Sequence, residues 1–317
     1  MATADQVKRL VKAYVDHDDE NFKTVVLQIA AHEARLGHDN IARELKKQID
    51  SMVGKKSNVF RMQTGNPLFK VTVPDLSKND LIVSKDLESR IDRILNEYRN
   101  RKRLQTYGLA NRRKLLFEGM PGTGKTLSAS VIASEISLPL YIIQMDKIVS
   151  KFMGETSAKL RQIFDAIASE EGVYFFDEFD AIGSDRNMDN EVGEMRRILN
   201  SFLQFIEQDN SDSIIIAATN NQKLLDKALF RRFDDILHYD LPIEDEIRRL
   251  FEYKIISFSS EFKISKNLIE QANGLSHAEI IRACDDAIKM SILSNDQITE
   301  SAIVRLLKER HMIYKEA

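Results

Sequence analysis

Apolar positions recur with two different periods along this chain, and the change of period divides it. At the start they return at helical spacing. Val7, Leu10, Val11, Tyr14 and Val15 make one stripe, Phe22, Val25, Val26 and Ile29 a second, and Ile41, Leu45, Ile49 and Met52 a third. Thr3 and Gln6 stand at capping-box spacing before the first. These stripes predict a small N-terminal helical bundle over 1–53, too small for more than a marginal core and so expected to dock on something. Residues 54–80 break the pattern with glycine, asparagine and proline, and are read as a linker in which only VFRMQ and LFKVTV have strand character. A helix is predicted again over 84–105, with Leu87, Ile91, Ile94, Leu95 and Tyr98 on one face.

The grain then changes. KLLFE (114–118), PLYIIQM (139–145), VYFF (173–176), SIIIAAT (213–219) and DILHYDL (235–241) are short, nearly continuous apolar runs separated by helical segments. Runs apolar on both faces suit parallel strands covered by helices on each side. An α/β unit with a parallel sheet is therefore predicted, followed by helices alone over 243–258, 265–272, 276–292 and 297–312. No internal repeat or low-complexity tract interrupts this order.

Composition narrows the setting. With 30% charged and 43% hydrophobic residues the chain reads as an ordinary globular protein. A formal net charge of -3 supplies no global attraction to nucleic acid or anionic membrane. One cysteine, Cys284, rules out an internal disulfide framework and fits a reducing compartment. The opening MATADQVKRL lacks an apolar signal core, and no stretch approaches the roughly 18 apolar residues of a membrane span. A cytoplasmic location, with no membrane partner, is expected.

The candidate chemistry begins with GMPGTGKT, residues 119–126, which satisfies G-x-x-x-x-G-K-[ST] between a predicted strand and a predicted helix. Gly122 and Gly124 would let the loop, which runs from Pro121 through Thr123 to Leu127, turn the backbone N–H groups that follow Pro121 around phosphate oxygens at a helix N-terminus. Lys125 would reach the β- and γ-phosphates, and the Thr126 hydroxyl would ligate Mg²⁺. At the end of VYFFDEFD, Asp177 is placed to hold the magnesium and Glu178 to act as general base on the attacking water. That pair argues for hydrolysis of the nucleotide. Without an N-K-x-D guanine motif or a transporter signature, ATP is the expected substrate. Asn220 ends the strand IIIAATN, where it would bond the γ-phosphate and the attacking water, or would simply start a turn. Arg231 and Arg232, in LFRRFDD, are either a solvated basic turn or guanidiniums for a γ-phosphate.

Together GMPGTGKT, VYFFDEFD, IIIAATN and LLDKALFRRFDD resemble the AAA clade of AAA+ ATPases over about residues 80–312. The resemblance implies a large α/β subdomain (81–241), a small helical lid (242–317) with ATP at their junction, and a homo-oligomeric, usually hexameric, ring. It makes Asn220 the sensor asparagine and at least one of Arg231 and Arg232 a finger acting on the neighbouring subunit's nucleotide. Met120 departs from the family's frequent proline, and the two arginines are adjacent where many relatives separate them. GLSHAEIIRA (274–283) resembles the family's lid segment with His277 where glycine is usual, which implies Ala278 and the His277 backbone near the adenine. The loop SKFMGE, with Phe152, Met153 and Gly154, holds the place of the family's pore loop, although burial of its apolar side chains is the alternative reading. The N-terminal NFKTVVLQIAAHEARLGHDNIARELKKQI resembles bacterial AAA ATPases encoded beside subtilisin-like serine proteases, in pairs associated with phage defence.

Three functions from different classes remain open at this point. The first is a ring that remodels or translocates a protein, with a protease as a candidate partner. The second is a nucleic-acid-directed motor, for which the basic residues Arg99, Arg101, Lys102, Arg103, Arg112, Arg113 and Lys114, with Lys55 and Lys56, are the support, although a solvated helix face with compensating acids elsewhere explains those charges equally well. The third is a nucleotide-gated scaffold that controls docking of a partner.

Overall fold

The apolar runs become the strands of a six-stranded sheet in the order β1-β3-β4-β5-β2-β6. The computed structural model describes residues 25–27, 29–30, 67–148, 155–179, 191–220 and 230–315. β2 (Lys114–Gly119), β3 (Leu140–Ile143), β4 (Val173–Phe176), β5 (Ile214–Thr219) and β6 (Asp235–Tyr239) are parallel to one another. β4 and β5 are buried along their whole length, which is why their sequences carry no alternation.

Successive residues of these strands enter two different cores. Leu115, Phe117, Val173, Phe175, Ile214 and Ile216 face α1 (Lys85–Arg99) and α3 (Lys125–Glu135). Leu116, Tyr174, Phe176, Ile215 and Ala217 face α5 (Glu155–Ser169) and α6 (Glu191–Gln208). The short helices α2 (Arg101–Thr106) and α4 (Met145–Ile148) complete the unit. The predicted helix over 84–105 is thus two helices, α1 and α2, meeting at Asn100, and all five of its apolar-face residues are buried. Ser84 caps α1 by accepting from the Leu87 amide at 3.3 Å.

One expectation is corrected. The sheet is mixed, because β1 (Phe69–Thr72) pairs antiparallel with β3 through Phe69–Ile143 and Thr72–Leu140. β1 lies inside the stretch 54–80, within LFKVTV, one of its two segments of strand character. As an edge strand it is only half-buried, so its sequence lacks the continuous apolar signal of the inner strands.

After β6 come α7 (Glu244–Phe251), a π-helical turn (Glu252–Ile256), α8 (Lys266–Ala272), α9 (His277–Ser294) and α10 (Glu300–Lys315). They share a third core containing Ile247, Phe251, Leu268, Ile280, Cys284 and Leu307, which Ile82 also joins. Ser276 caps α9, its hydroxyl accepting from the Glu279 amide at 3.4 Å. The Glu279 carboxylate pairs with Arg282 and Arg310.

Contacts divide the chain into residues 1–64 and residues 65–317. In the first unit Val25, Val26, Ile29 and Ala30 are helical and buried while Leu27 is exposed, as a one-sided stripe requires. The remaining positions of the three N-terminal stripes lie outside the described residues.

Candidate active site

β2 lies between β5 and β6, and the chain leaves it through α3 to reach β3 on the far side of the sheet. The carboxyl ends of β2, β4 and β5 therefore open into one crevice, the usual ligand position of an open α/β sheet. A cavity of about 480 Å³ occupies it, lined by Pro121, Gly122, Gly124, Lys125, Thr126 and Leu127 from the loop and α3, by Asp177, Glu178 and Asn220 from the strand ends, and by His277, Ala278, Ile281 and Arg282 from α9.

The loop is built by two left-handed glycines, Gly122 at φ 76° and Gly124 at φ 104°, a conformation that side chains other than glycine seldom adopt. Gly124 precedes α3, so the amides that follow open toward the cavity. Thr123 points away, its hydroxyl donating to the Met120 carbonyl at 2.7 Å. Gly122 meets the C-terminal helices directly. The Ala278 amide donates to the Gly122 carbonyl at 3.0 Å, and a Cβ on Gly122 would stand 2.6 Å from the Ser276 Oγ.

Lys125 is buried, and its ammonium donates to the carbonyls of Gly119 at 2.7 Å and Met120 at 2.9 Å and to Asn220 Oδ1 at 2.8 Å. Asn220, Lys125 and the loop are thereby one hydrogen-bonded unit. The Thr126 hydroxyl donates to Asp177 Oδ2 at 3.2 Å. This hydroxyl–carboxylate pair is a hard oxygen donor set of the kind that suits Mg²⁺. Glu178 follows with a left-handed backbone (φ 50°), its amide donating to Asp177 Oδ1 at 2.9 Å. Strain at a non-glycine residue, roughly 1–3 kcal/mol, turns the chain sharply here and sends Glu178 to the cavity wall beside Asp177.

His277 begins α9 and is buried, with neither ring nitrogen hydrogen-bonded among the described residues. Burial lowers its pKa from 6.5 to about 4, so the imidazole is neutral near pH 7. Its Nε2 lies 3.9 Å from Glu246 Oε2, beyond hydrogen-bond reach, and burial pushes the Glu246 carboxyl above the usual range.

Of the sequence-predicted residues, those of the loop together with Asp177, Glu178, Asn220, His277 and Ala278 come together, with only Thr123 turned away from the cavity. Arg231 and Arg232 do not join them. Both are exposed, and Arg232 pairs with Glu207 on α6. Phe152, Met153 and Gly154 lie outside the described residues. Sequence reasoning missed Arg282 and Ile281. Helical spacing of three and four from Ala278 was the signal that would have found them.

Residues 115–241 match the model of the ATPase family associated with various cellular activities (AAA). The chain is 32% identical, over 98% of its own length and 96% of the other's, to an uncharacterized AAA family ATPase, y4kL, of Sinorhizobium fredii. A putative 26S proteasome regulatory subunit homolog of Methanothermobacter marburgensis is 27% identical over 83% of this chain and 71% of its own. The peroxisomal ATPase PEX6 of Saccharomyces cerevisiae is 33% identical over 63% of this chain and 20% of its own.

Proposed function

Because the chain belongs to the AAA family of ATPases, we propose that the cavity at the carboxyl ends of β2, β4 and β5 binds ATP with Mg²⁺ and hydrolyses it, and that a ring of these subunits uses the energy to remodel or translocate a protein. The observation that carries the reading is the convergence of Lys125, Thr126, Asp177, Glu178 and Asn220 on one cavity that α9 also lines. Residues 81–241 then act as the nucleotide-binding body and 242–317 as the lid, behind an N-terminal bundle over 1–53.

The chemistry follows from the positions. Amides of the loop and the start of α3 receive the phosphate oxygens. Lys125 gives up its carbonyl and Asn220 partners to meet the β- and γ-phosphates, which frees Asn220 to orient the attacking water. Glu178 takes the proton from that water. Thr126 Oγ1 and the Asp177 carboxylate would hold Mg²⁺, directly or through water, and the ion when bound supplies neutralisation of the developing phosphate charge. Arg231 and Arg232, exposed and away from this cavity, are positioned to serve a neighbouring subunit's nucleotide, where an arginine is worth roughly 10³–10⁵ in rate. Phe152, Met153 and Gly154 are the proposed contacts to a polypeptide in the ring's pore.

A protein target is favoured over nucleic acid by where four of the seven basic residues between Arg99 and Lys114 go. Arg99 pairs with Glu135, Arg101 with Glu171, Arg112 with Glu97 and Arg113 with Asp209. Charges committed to internal carboxylates offer little to a phosphate backbone. The proteasome-related and peroxisomal names among the relatives point the same way. A subtilisin-like protease is the first partner to seek, in line with the resemblance of the N-terminal segment, and the cytoplasm the first compartment.

Glu178→Gln is the test. It should bind ATP as the wild type does, lose at least about 100-fold in turnover, and retain a target protein in pull-downs. Undiminished hydrolysis by this variant refutes the base assignment, and a captured nucleic acid refutes the protein target.

A further inference from the structure

We propose that a second cavity, at the edge of the sheet beside β6, binds a small aliphatic diamine, with the buried Glu118 carboxylate taking one of its ammonium groups.

This cavity, about 390 Å³ in volume, lies between the first turns of α1 and the carboxyl ends of β2 and β6, and it shares no lining residue with the nucleotide cavity. Glu118 lines it from the penultimate position of β2, with a side chain only 3% exposed. His238, its neighbour across the β2–β6 pair, brings Nδ1 against Oε1. The second oxygen, Oε2, is buried and has no hydrogen-bond partner among the described residues. Buried carboxylate oxygens are ordinarily paired, because leaving one bare costs the desolvation of a charged acceptor.

Charge sets the sign of the ligand. Asp86 and Asp240, both exposed, add two more carboxylates to the wall, against the single arginine Arg90. Arg90 is already paired with Asp235, whose side chain is 8% exposed. Even with His238 protonated the wall is net acidic and favours a cation.

Geometry then separates a metal ion from an organic cation. Among the described residues no three acidic, histidine or cysteine side chains are placed to hold one metal ion. An ammonium group needs no such convergence, since its three donors take acceptors separately. Leu87 and Tyr239, both buried, add apolar surface along which a short methylene chain can lie. One ammonium on Glu118 and the other between Asp86 and Asp240 give the buried and the exposed carboxylates a common ligand.

The experiment titrates putrescine into the full chain by calorimetry, without nucleotide and at fixed ionic strength, with butanediol as its neutral counterpart. The wild type should bind the diamine saturably and the diol not at all. Glu118→Gln should weaken putrescine by about tenfold or more, as loss of a charge-assisted hydrogen bond does. Asp86→Asn/Asp240→Asn, changed only at exposed positions, should fold normally and weaken it by about threefold or more. A wild type without saturable binding overturns the proposal, and so does a Glu118→Gln chain that binds as tightly as the wild type. If Glu118→Gln fails to fold, the double variant decides, and an affinity equal to the wild type's overturns the proposal. Mg²⁺ that displaces putrescine at equal concentration would reveal only a general acidic face and overturn it as well.

Discussion

Gly122→Ala tests whether the loop and the C-terminal helices form one nucleotide site. The residue sits at φ 76°, where an alanine costs roughly 1–2 kcal/mol. The added methyl also lands 2.6 Å from Ser276 Oγ and 3.1 Å from the Ala278 Cβ. The hydroxyl can rotate away only by giving up its bond from the Glu279 amide, a cap worth about 1 kcal/mol. Relief by moving α9 instead sacrifices the Ala278–Gly122 hydrogen bond, also about 1 kcal/mol net. The two contributions together come to about 2–3 kcal/mol, or about 30- to 150-fold in nucleotide affinity if strain and lid contact both matter to binding. Gly124→Ala is the control, because Gly124 is at φ 104° with nothing within 4 Å of the new methyl, so it isolates strain. Adding Ser276→Gly to Gly122→Ala should restore about fivefold to tenfold in affinity, since glycine caps a helix nearly as well as serine. The same change should do nothing for Gly124→Ala. Fluorescent-nucleotide titration gives the affinities, and thermal melts without nucleotide separate folding from binding. Rescue of both variants alike, or of neither, would refute a steric link between Gly122 and α9.

Two further perturbations probe buried charge. The neutral His277 ring is held near pKa 4 against 6.5 when free, so its protonation favours the unfolded chain as pH falls from 6.5 toward 4, at a cost of about 3 kcal/mol. The nearby Glu246 carboxyl, raised by burial, works in the opposite sense, so the measurement is the difference in denaturant stability between wild type and His277→Leu. That difference should shift against the wild type by about 3 kcal/mol between pH 6.5 and 4, and parallel profiles would exclude burial as the cause. Separately, Arg113→Met leaves the Asp209 carboxylate, whose side chain is 3% exposed, without its cation and should cost about 3–5 kcal/mol in chemical denaturation. The double variant Arg113→Met/Asp209→Leu should recover most of that loss. A double variant no better than the single one would show that packing, not charge, is at stake.

What could be read from the sequence was whatever depends on near neighbours. β4 and β5 declared themselves because burial on both faces makes four or five consecutive residues apolar. Ser84 and Ser276 signalled helix starts because a cap and its amide lie three residues apart. The loop, Asp177, Glu178 and Asn220 were found by the same logic, each at a predicted strand end. What stayed undecided shares one cause as well. β1 is half-exposed, and its strand identity comes from a partner, β3, some 70 positions away at Phe69–Ile143. The basic residues Arg99, Arg101, Arg112 and Arg113 could be read either as a surface for polyanions or as a compensated face because their acids are remote, with separations of 15 for Arg112–Glu97, 36 for Arg99–Glu135, 70 for Arg101–Glu171 and 96 for Arg113–Asp209. Arg282 was the reverse case. Its bonded partner, Glu279, is local, so nothing near it in sequence pointed to the cavity, and only the contact between Ala278 and Gly122 brings it over the loop. A charge's sequence neighbours thus could not decide either case, because the partner that fixes each cation's role is brought to it only by the fold.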